Sequence, residues 1–592
     1  VYKRQRLDKE FPVDPQALGR FYLSGYDGNG NRTDETDPLG IKTRWAYDGL
    51  NRLKTTVGDF TGSAPATANA TIATGYDARD NQTSITDPNL LVTANVFDGQ
   101  NNLDTLASPD TGSTSFTQDA AGNPLIRADA RGITTTFTYD ALNRIASISY
   151  PTASQNTAYF YDTPNASTGC ANSYPIGRLT RMTDASGSTT WCYDHRGNVT
   201  QKVQTAAGFR FATGYSYNLA DRLMATTYPS GAQLSYTRDA DGRIQTATVT
   251  PAGGSATAVV TDVAYLPFGP PTLTTFAGAG QSQTRTFDQN YWLTDVTGNA
   301  VTLHFRRDVI GNIDRVGNSA GATPPTEQYP YDALYRLGQV QDGSGALIEG
   351  YTYNLTGDRT TKSLPPAAVQ TYAYTPGTHH LESVAGNTRT LDLVGNTTQT
   401  TGSATLEFIY DDRNRLIQVK RNSATVANYA YNGKGERVHK TTTFPSTSTR
   451  WFTYSEAGQL LGDYTSSTAR EYLWVDDMPI AILDTAGFAL STVERLFANG
   501  FEDQAAVSTN LSYIHTDQLN TPRAVTTTTG TTIWRWNWST NAFGEMPAIE
   551  DPDGNSQLFV MNLRYPGQQF DAETGIHYNY FRDYEPGTGR YV

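Results

Sequence analysis

Apolar and polar side chains alternate along short stretches of this chain, and each stretch ends in a turn-forming sequence. From Ile133 to Tyr139 the odd-numbered positions hold Ile, Thr, Phe and Tyr, and the even-numbered positions hold Thr. A period of two, carried by β-branched and aromatic residues, predicts a β-strand. The same register precedes the turns after Tyr47 and Tyr193. The pattern therefore predicts many short strands, each followed by a turn.

The turns share a motif, in which Tyr-Asp is followed two or three residues later by Gly-Asn or Asn-Arg. Close copies begin at Tyr26, Tyr47, Tyr139, Tyr193, Tyr331 and Tyr410, and looser copies begin at Tyr217, Tyr353 and Tyr431. The aspartates Asp77, Asp98, Asp119 and Asp140 recur at one constant spacing. An Asp side chain can accept backbone N–H groups of the turn, and Gly or Asn tolerates positive φ. We interpret the repeated aspartates as turn residues and not as catalytic groups.

A fixed period indicates a repeat array, and the interval between successive aspartates is long enough for two strands. Because a two-stranded unit is not stable alone, successive units must pair into one long sheet. The predicted fold class is all-β, with an unassigned lead-in at 1–20, a repeat array at 21–450 and a different C-terminal part at 451–592. Degraded copies predict loops at Pro251–Ala258 and Ala322–Gln328, and Val493–Asn510 is the expected helical or irregular insert.

The composition excludes several functions. The chain has 592 residues and a net charge of −13, which argues against a nucleic-acid partner. A membrane-spanning helix needs an apolar run of about 18 residues or more, and the sequence has no such run, so no membrane span is expected. The first residue is Val1, and Val592 follows directly on a patterned motif, so we expect both ends to be truncated.

The two cysteines, Cys170 and Cys192, are separated by about one repeat. Neighbouring strands could bring them together as a disulfide, which would suit an oxidising compartment; two free buried thiols are the alternative. With His195 they offer too few ligands for a metal site. Neither a phosphate-binding loop nor a serine nucleophile elbow is visible, so no metal or cofactor is expected.

The repeat resembles the RHS/YD-repeat family, which includes bacterial polymorphic toxins, the C components of insecticidal toxin complexes and the teneurins. The C-terminal quarter resembles the RHS repeat-associated core of that family. The matching stretches are Tyr472–Leu483, Tyr513–Thr526, Ile533–Glu545 and Leu563–Val592. The chain departs from the family pattern at Asn520, at Thr526 and Thr527, and at Glu585, which stands where Asp is usual.

The resemblance implies that the sheet spirals into a large hollow shell closed at its C-terminal end by the core. Such a shell encloses a C-terminal toxin polypeptide and delivers it from a bacterium, as a secreted or cell-surface protein. The implied partners are the protein's own toxin domain, a secretion-system component and cell-surface carbohydrate. The rival interpretation is an adhesion protein of the cell surface or wall, in which the repeats bind carbohydrate.

The family core also implies a self-cleaving protease of the aspartic type. Asp583 and the preceding Arg582 match its first catalytic Asp and Arg, and the second Asp is expected in a D-P-x-G motif beyond Val592. From the residues alone, the favoured interpretation of Arg582 and Asp583 is an ion pair that closes a hairpin. The D-P-x-G matches at Asp37–Gly40 and Asp551–Gly554 are interpreted as a repeat turn and a loop.

Three further groups have candidate chemistry, and for each we favour a structural role. His515 and Asp517 are expected to share one face of a strand, as hydrogen-bonded core residues instead of an acid–base or metal pair. His379 and His380 are interpreted as a loop pair. Trp534, Trp536 and Trp538 alternate onto one strand face, where packing is favoured over sugar binding.

Overall fold

The computed structural model describes residues 9–10, 21–62, 68–164, 172–278, 280–492 and 508–592. Short 3-10 turns lie at Ala153–Gln155 and Ala320–Ala322, and these described residues contain no α-helix. Nearly all other regular structure is antiparallel β-strand, and most strands pair with a neighbour in sequence. The predicted all-β fold class is confirmed.

Contacts between residues divide the chain into two units, and each unit is made of three segments of the sequence. The first unit holds Val1–Thr134, Phe287–Thr294 and Leu303–Ser403; the second holds Thr135–Thr286, Asp295–Thr302 and Ala404–Val592. This division does not test the boundary between repeat array and core that the sequence predicts at 450/451, and that boundary stays a prediction.

The first run of strands, in the first unit, is β1 Lys9–Glu10, β2 Tyr22–Tyr26, β3 Arg32–Thr36, β4 Lys42–Tyr47, β5 Leu53–Gly58, β6 Ala70–Tyr76, β7 Gln82–Thr86, β8 Val92–Phe97, β9 Leu103–Ser108, β10 Gly112–Gln118 and β11 Pro124–Ala128. The next run, mainly in the second unit, is β12 Thr134–Tyr139, β13 Ile145–Ser149, β14 Thr157–Tyr161, β15 Leu179–Asp184, β16 Gly187–Tyr193, β17 Val199–Ala206, β18 Phe209–Tyr217, β19 Leu223–Thr227, β20 Gln233–Arg238, β21 Ile244–Thr250, β22 Thr257–Tyr265, β23 Pro271–Phe276, β24 Ser282–Phe287 and β25 Leu293–Gly298.

The chain then contributes to the first unit again, with β26 Thr302–Arg307, β27 Ile313–Gly317, β28 Glu327–Gln328, β29 Gln339–Asp342, β30 Leu347–Tyr353, β31 Arg359–Ser363, β32 Gln370–Tyr374, β33 Leu381–Val384, β34 Asn387–Leu391 and β35 Thr397–Thr400. The last run, in the second unit, is β36 Leu406–Tyr410, β37 Leu416–Arg421, β38 Ala424–Tyr431, β39 Arg437–Thr442, β40 Ser448–Tyr454, β41 Leu460–Tyr464, β42 Thr468–Val475, β43 Met478–Ala486, β44 Ser491–Thr492, β45 Ser508–Thr516, β46 Pro522–Thr527, β47 Thr532–Arg535, β48 Gln569–Asp571, β49 Ile576–Asn579, β50 Arg582–Glu585 and β51 Arg590–Tyr591. In contrast to the pairing of neighbours elsewhere, β43 pairs with β45, and β44 pairs with β18.

The Tyr-Asp motif forms the hairpin turn that its sequence predicts. Oδ1 of Asp48 accepts the N–H groups of Leu50 and Arg52 at 2.9 and 3.0 Å. The N–H of Asn51 donates to the Asp48 carbonyl at 3.0 Å, and Asn51 has φ +64°. Gly and Asn adopt positive φ most easily, which explains their place in the motif. The same contacts recur at Asp77, Asp98, Asp119 and Asp140.

Each turn also contacts the next hairpin. Nε of Arg52 donates to Asp48 at 2.7 Å, and its guanidinium lies 4.8 Å from the ring centroid of Tyr76. The Tyr76 hydroxyl donates to the Leu53 carbonyl at 3.0 Å. The same Arg-over-Tyr contact joins Arg144 to Tyr161, Arg243 to Tyr265 and Arg336 to Tyr353. The motif thus supplies both the turn and the connection between repeats.

One period of the repeat corresponds to two strands, as predicted. Strands β7 and β8 lie between Asp77 and Asp98, and β9 and β10 lie between Asp98 and Asp119. Along β12, Thr134, Thr136 and Thr138 are exposed and the intervening residues are not.

The deepest core lies in the second unit, where strands of the array pack against strands near the C-terminus. Val249 and Val260 of the array share one buried cluster with Leu473 and Ile480 of β42 and β43. In the first unit, by contrast, the described residues of β2 to β11 are half-buried or exposed.

The structure confirms some of the loops and turns predicted from the sequence and differs from others. Residues 251–256 and 323–326 connect strands, as expected, whereas the last two residues of each predicted loop lie in strands β22 and β28. Asp37 accepts the N–H of Leu39 and Ile41 like any repeat turn, and Asp551–Gly554 lies in a loop, so both D-P-x-G matches are structural. Most of the insert expected at Val493–Asn510 lies outside the described residues, and its last three residues instead begin β45, where they pair with β43.

Candidate active site

Asp583 lies in the four-stranded sheet formed by the last strands of the second unit. Its cross-strand neighbour is Tyr578 on β49, which in turn pairs with Gln569 on β48. Asp571 is two residues beyond Gln569 on the same strand and therefore projects from the same face. Register alone thus aligns two carboxyl groups, those of Asp571 and Asp583, on one side of this sheet.

The Asp583 carboxyl is buried, with 7% of the residue exposed. Burial, and next the negative charge of Asp571, raise the pKa of Asp583 to about 7 against the opposing effect of Arg437 and Arg415. A carboxyl with a pKa near neutrality can hold a proton that it later donates. Asp583 therefore has the electrostatic character of a general acid.

Asp571 is surrounded by cations. Its Oδ2 lies 2.5 Å from Nη1 of Arg437, and its Oδ1 lies 2.6 Å from Nζ of Lys440. Burial opposes ionisation, but Arg437 and then Lys440 outweigh it and hold the pKa of Asp571 below its usual value. Lys440 also lies 2.7 Å from Oε1 of Glu573, which accepts the Tyr429 hydroxyl at 2.6 Å.

The aromatic rings and amides around Arg437 fix its position. Its guanidinium carbon lies 4.2 Å from the ring centroid of Tyr578. The Tyr578 hydroxyl accepts the Arg437 N–H at 2.9 Å, and the Tyr454 hydroxyl donates to the Arg437 carbonyl at 3.1 Å. Gln569 donates to that Tyr454 oxygen at 3.1 Å. The Arg437 charge is therefore held at one place beneath the carboxyl groups.

Arg582 and Asp583 face opposite sides of β50. Arg582 is exposed, and Asp583 is buried. The arginines that act on the Asp583 carboxyl are Arg437 and Arg415, which come from β39 and from the turn before β37. The role expected for Arg582 in catalysis stays a prediction.

The chain returns past Asp583 at the end of the sequence. Strands β50 and β51 form a hairpin, and the N–H of Val592 donates to the Asp583 carbonyl at 2.8 Å. Val592 packs against the apolar cluster that contains Tyr431, Ile576 and Tyr578. The backbone at Val592 thus lies directly beside Asp583.

His515 and Asp517 do not form a pair. His515 is fully buried, and its Nε2 lies 2.9 Å from Oγ1 of Thr526; burial lowers the pKa of His515 to about 4. Strand β45 ends at Thr516, so Asp517 is a turn residue and the expected shared strand face is wrong. Its carboxylate accepts two turn N–H groups and, at 2.8 Å, Nε of Arg523.

Two of the three clustered tryptophans are packed in the core and are not available to a sugar. Trp534 and Trp536 are fully buried in a core with Phe452, Tyr472 and Val525. The packing interpretation is confirmed for these two rings. Strand β47 ends at Arg535, so the expected alternation of all three rings on one strand face is wrong, and Trp538 is partly exposed.

His379 and His380, both in the first unit, are hydrogen-bonded. His379 lies between Asp87 and Asp358, with its Nε2 and Nδ1 at 2.6 and 2.7 Å from the two carboxylates. Nε2 of His380 lies 2.6 Å from the carbonyl of Asp110. Both histidines therefore have structural partners.

Cys192 lies on β16 and is buried. Cys170 lies outside the described residues, so its pairing with Cys192 stays a prediction. No helix in the described part of the chain has the length and apolar character that a membrane-spanning helix requires.

Sequence reasoning missed most of the groups around Asp583. Asp571 and Glu573 lie in the terminal stretch that resembles the family signature, and two carboxylates two residues apart were a visible signal. Arg437 and Lys440 come from β39, far earlier in the chain. Nothing in the local sequence links that strand to Asp583.

Known proteins resemble this chain in sequence and in fold. A family model described as RHS Repeat matches residues 26–64, 119–155, 175–210 and 214–255. Double-stranded DNA deaminase toxin A of Burkholderia cenocepacia (strain H111) is 28% identical over 198 residues, 32% of this chain and 13% of that protein. Probable deoxyribonuclease RhsA of Dickeya dadantii (strain 3937) is 25% identical over 407 residues, 64% of this chain and 23% of that protein. The chain thus spans less than a quarter of the length of either relative.

The solved structure of TcdB2-TccC3 without its hypervariable C-terminal region matches the fold. The TM-score is 0.75 at 15% identity, and the match covers 97% of this chain and 32% of that chain. The hairpin array and its terminal sheet thus define an all-β repeat protein with the RHS type of shell fold. With RHS repeats at the four matched segments, the chain is an RHS repeat protein.

Proposed function

We propose that the chain forms the shell and core of a bacterial toxin carrier. It encloses a C-terminal toxin polypeptide and releases it after self-cleavage, as a secreted or cell-surface protein. The main support is the match to TcdB2-TccC3 over 97% of this chain, because that structure is described as lacking a hypervariable C-terminal region. The names of the two relatives, a deaminase toxin and a probable deoxyribonuclease, agree with a toxin as cargo.

The proposed reaction is hydrolysis of a peptide bond downstream of Val592. A second carboxylate, expected on the downstream segment, takes a proton from water as the water oxygen attacks the carbonyl carbon. The Asp583 carboxyl gives its proton to the amide nitrogen as the C–N bond breaks. One water is consumed, and one carboxyl and one amino terminus are formed. The buried Asp583, with a pKa of about 7, suits the acid in this scheme.

The position of Val592 supports this scheme. Its backbone is hydrogen-bonded to that of Asp583 at 2.8 Å, so a segment that continues from it starts beside the proposed acid. A secretion-system component and cell-surface carbohydrate remain expected partners for delivery.

The test is to express the chain with its downstream coding sequence in a bacterium and to identify the products by denaturing electrophoresis and mass spectrometry. We expect two fragments, divided just after a D-P-x-G motif, and one intact band for Asp583→Asn. The matched control is Asp463→Asn, which removes another buried carboxylate, 2.7 Å from Arg450, and should leave cleavage unchanged.

An uncleaved wild-type chain that carries the motif would contradict self-cleavage. Normal cleavage in Asp583→Asn would remove Asp583 from the mechanism.

A further inference from the structure

The buried cluster around Asp583 contains more acids than bases. Asp571, Glu573 and Asp583 supply three buried carboxyl groups, whereas Arg437 and Lys440 supply two buried cations. Arg415, which is half-buried, also acts on the Asp583 carboxyl but does not form an ion pair with it. Both buried cations contact Asp571, and Lys440 also contacts Glu573. Among the described residues, Asp583 has no ion pair. An unpaired buried carboxylate is unfavourable, so Asp583 is the member of the cluster that takes a proton.

We propose that Asp571 is a positioning residue, which Arg437 and Lys440 hold in its ionised form and whose charge keeps the Asp583 carboxyl protonated. The inference rests on the proposed self-cleavage, because the proton held on Asp583 is the one that the leaving amide nitrogen requires. It goes beyond that proposal by giving the acid a fixed electrostatic partner within the chain, separate from any downstream carboxylate.

Strand register supports this role for Asp571. Gln569, Tyr578 and Asp583 form one cross-strand row, and Asp571 projects from the same face two residues further on. Tyr578 lies between the two acidic strands, and its ring covers the Arg437 guanidinium at 4.2 Å. The ring thus packs on the cation that pairs with Asp571. Glu573 follows β48 and is directed to Tyr429 and Lys440, so its influence on Asp583 is smaller.

The first test measures the Asp583 proton on the protein that ends at Val592. Infrared difference spectra across pH detect the C=O stretch of a protonated carboxyl, and subtraction of Asp583→Asn isolates the Asp583 band. We expect this band to disappear with a midpoint near pH 7 in the wild type. In Asp571→Asn the midpoint should move to lower pH by about one unit or more, because a nearby negative charge has been removed.

Glu573→Gln should move the midpoint in the same direction by less, and Asp463→Asn should not move it. Asp571→Asn leaves two buried cations without their main partner, so its folding must be checked by circular dichroism. If it does not fold, the double variant Asp571→Asn/Lys440→Met removes one charge of each sign. It should show a smaller shift to lower pH, because the loss of the Lys440 cation offsets part of the change. An unchanged midpoint in a folded variant overturns the proposal.

The second test uses the extended chain and the rate of cleavage after synthesis in a cell-free extract held at different pH values. We expect the alkaline limb of the pH profile to move to lower pH in Asp571→Asn, with an unchanged profile for Asp463→Asn. A wild type that cleaves and an Asp571→Asn with an unshifted profile would refute the positioning role alone. If the wild type never cleaves, the proposed function fails, and the infrared midpoint still decides whether Asp571 controls the Asp583 proton.

Discussion

Nε2 of His379 lies 2.6 Å from Oδ2 of Asp87, a residue 292 positions earlier in the chain. The other ring nitrogen lies 2.7 Å from Asp358, and the His379 N–H donates to Asp110 at 2.7 Å. One imidazole thus joins two distant segments of the first unit. Burial disfavours its charged form, but Asp358, Asp110 and Asp87 outweigh burial and raise the pKa of His379.

This contact predicts a pH-dependent stability of the first unit. Because the pKa of His379 is higher in the folded state than in the unfolded state, its protonation stabilises the fold. This stabilisation is complete below the unfolded-state pKa of about 6.5 and is lost as pH rises through the folded-state pKa. His379→Gln should lower the free energy of unfolding by about 1 kcal/mol at pH 5.5 and by less at pH 8.5. Urea unfolding at the two pH values measures this difference, with His380→Gln as the control. An equal loss at both pH values would show that the charge of His379 is irrelevant.

The repeat turn should matter most where it is buried. Asp517 is 1% exposed and is bonded to the buried Arg523, whereas Asp98 forms the same turn on the surface and bonds to Asn102. Asp517→Ala leaves a buried cation unpaired and should destabilise the protein by about 3 kcal/mol. Asp98→Ala should cause a much smaller change in the same denaturation experiment. If both variants lost a similar amount of unfolding free energy, the loss would come from the turn itself and not from the buried charge.

Glu471 is a buried acid whose hydrogen-bond partners among the described residues are uncharged: its carboxyl accepts the N–H and hydroxyl of Ser230 and the hydroxyl of Tyr464. Burial raises the pKa of Glu471 to about 7, although these hydrogen bonds oppose the shift. Its contribution to stability is present below pH 4.5 and is lost as pH rises to about 7.

Glu471→Gln keeps the shape and the acceptor oxygen but cannot ionise. Relative to the wild type, this variant should therefore gain about 3 kcal/mol of stability between pH 4.5 and pH 8. Chemical denaturation across that range measures the gain, and Glu407→Gln on the partly exposed strand β36 is the matched control. A constant difference between variant and wild type would argue that Glu471 does not titrate in this range.

Trp536 provides a test of the packing interpretation. It is fully buried, its indole N–H donates to the Met546 carbonyl at 2.7 Å, and its ring lies between the cations of Arg523 and Arg564. Trp536→Ala should destabilise the protein by about 3–5 kcal/mol, since it leaves a large cavity. Trp536→Phe keeps much of the volume and should cost less, and Trp538→Ala should cost little. Calorimetric unfolding of the three variants measures this order.

The all-β fold could be predicted from the sequence because residues close together in the chain determine each strand and turn. The Tyr-Asp spacing, the alternation before Tyr139 and the Gly or Asn of each turn act within a few residues, and the structure confirms their consequences. The Arg of the motif was visible too, yet its contact with the next Tyr, as between Arg52 and Tyr76, depends on strand pairing. Sequence spacing alone does not give that pairing.

The candidate site was predictable only in part. Asp583 follows from the resemblance of its terminal stretch to a family signature, but its burial and its neighbours do not. Arg437 and Lys440 reach it because the last sheet packs on β38 and β39, and that packing joins segments that are far apart in sequence. Electrostatic environments of this kind depend on tertiary contacts and not on local pattern.

The self-contained turn has a consequence for how such a chain can evolve. In the turn at Asp48 the hairpin bonds its own backbone through one Asp, and it contacts the adjacent hairpin through an Arg and a Tyr. Duplication or deletion of a whole two-strand unit would therefore leave every remaining turn and neighbour contact intact. Where a hairpin has only these neighbour contacts, the array could lengthen or shorten by whole units. The terminal sheet around Asp583 could not, because its contacts to Arg437 and Lys440 join segments distant in sequence.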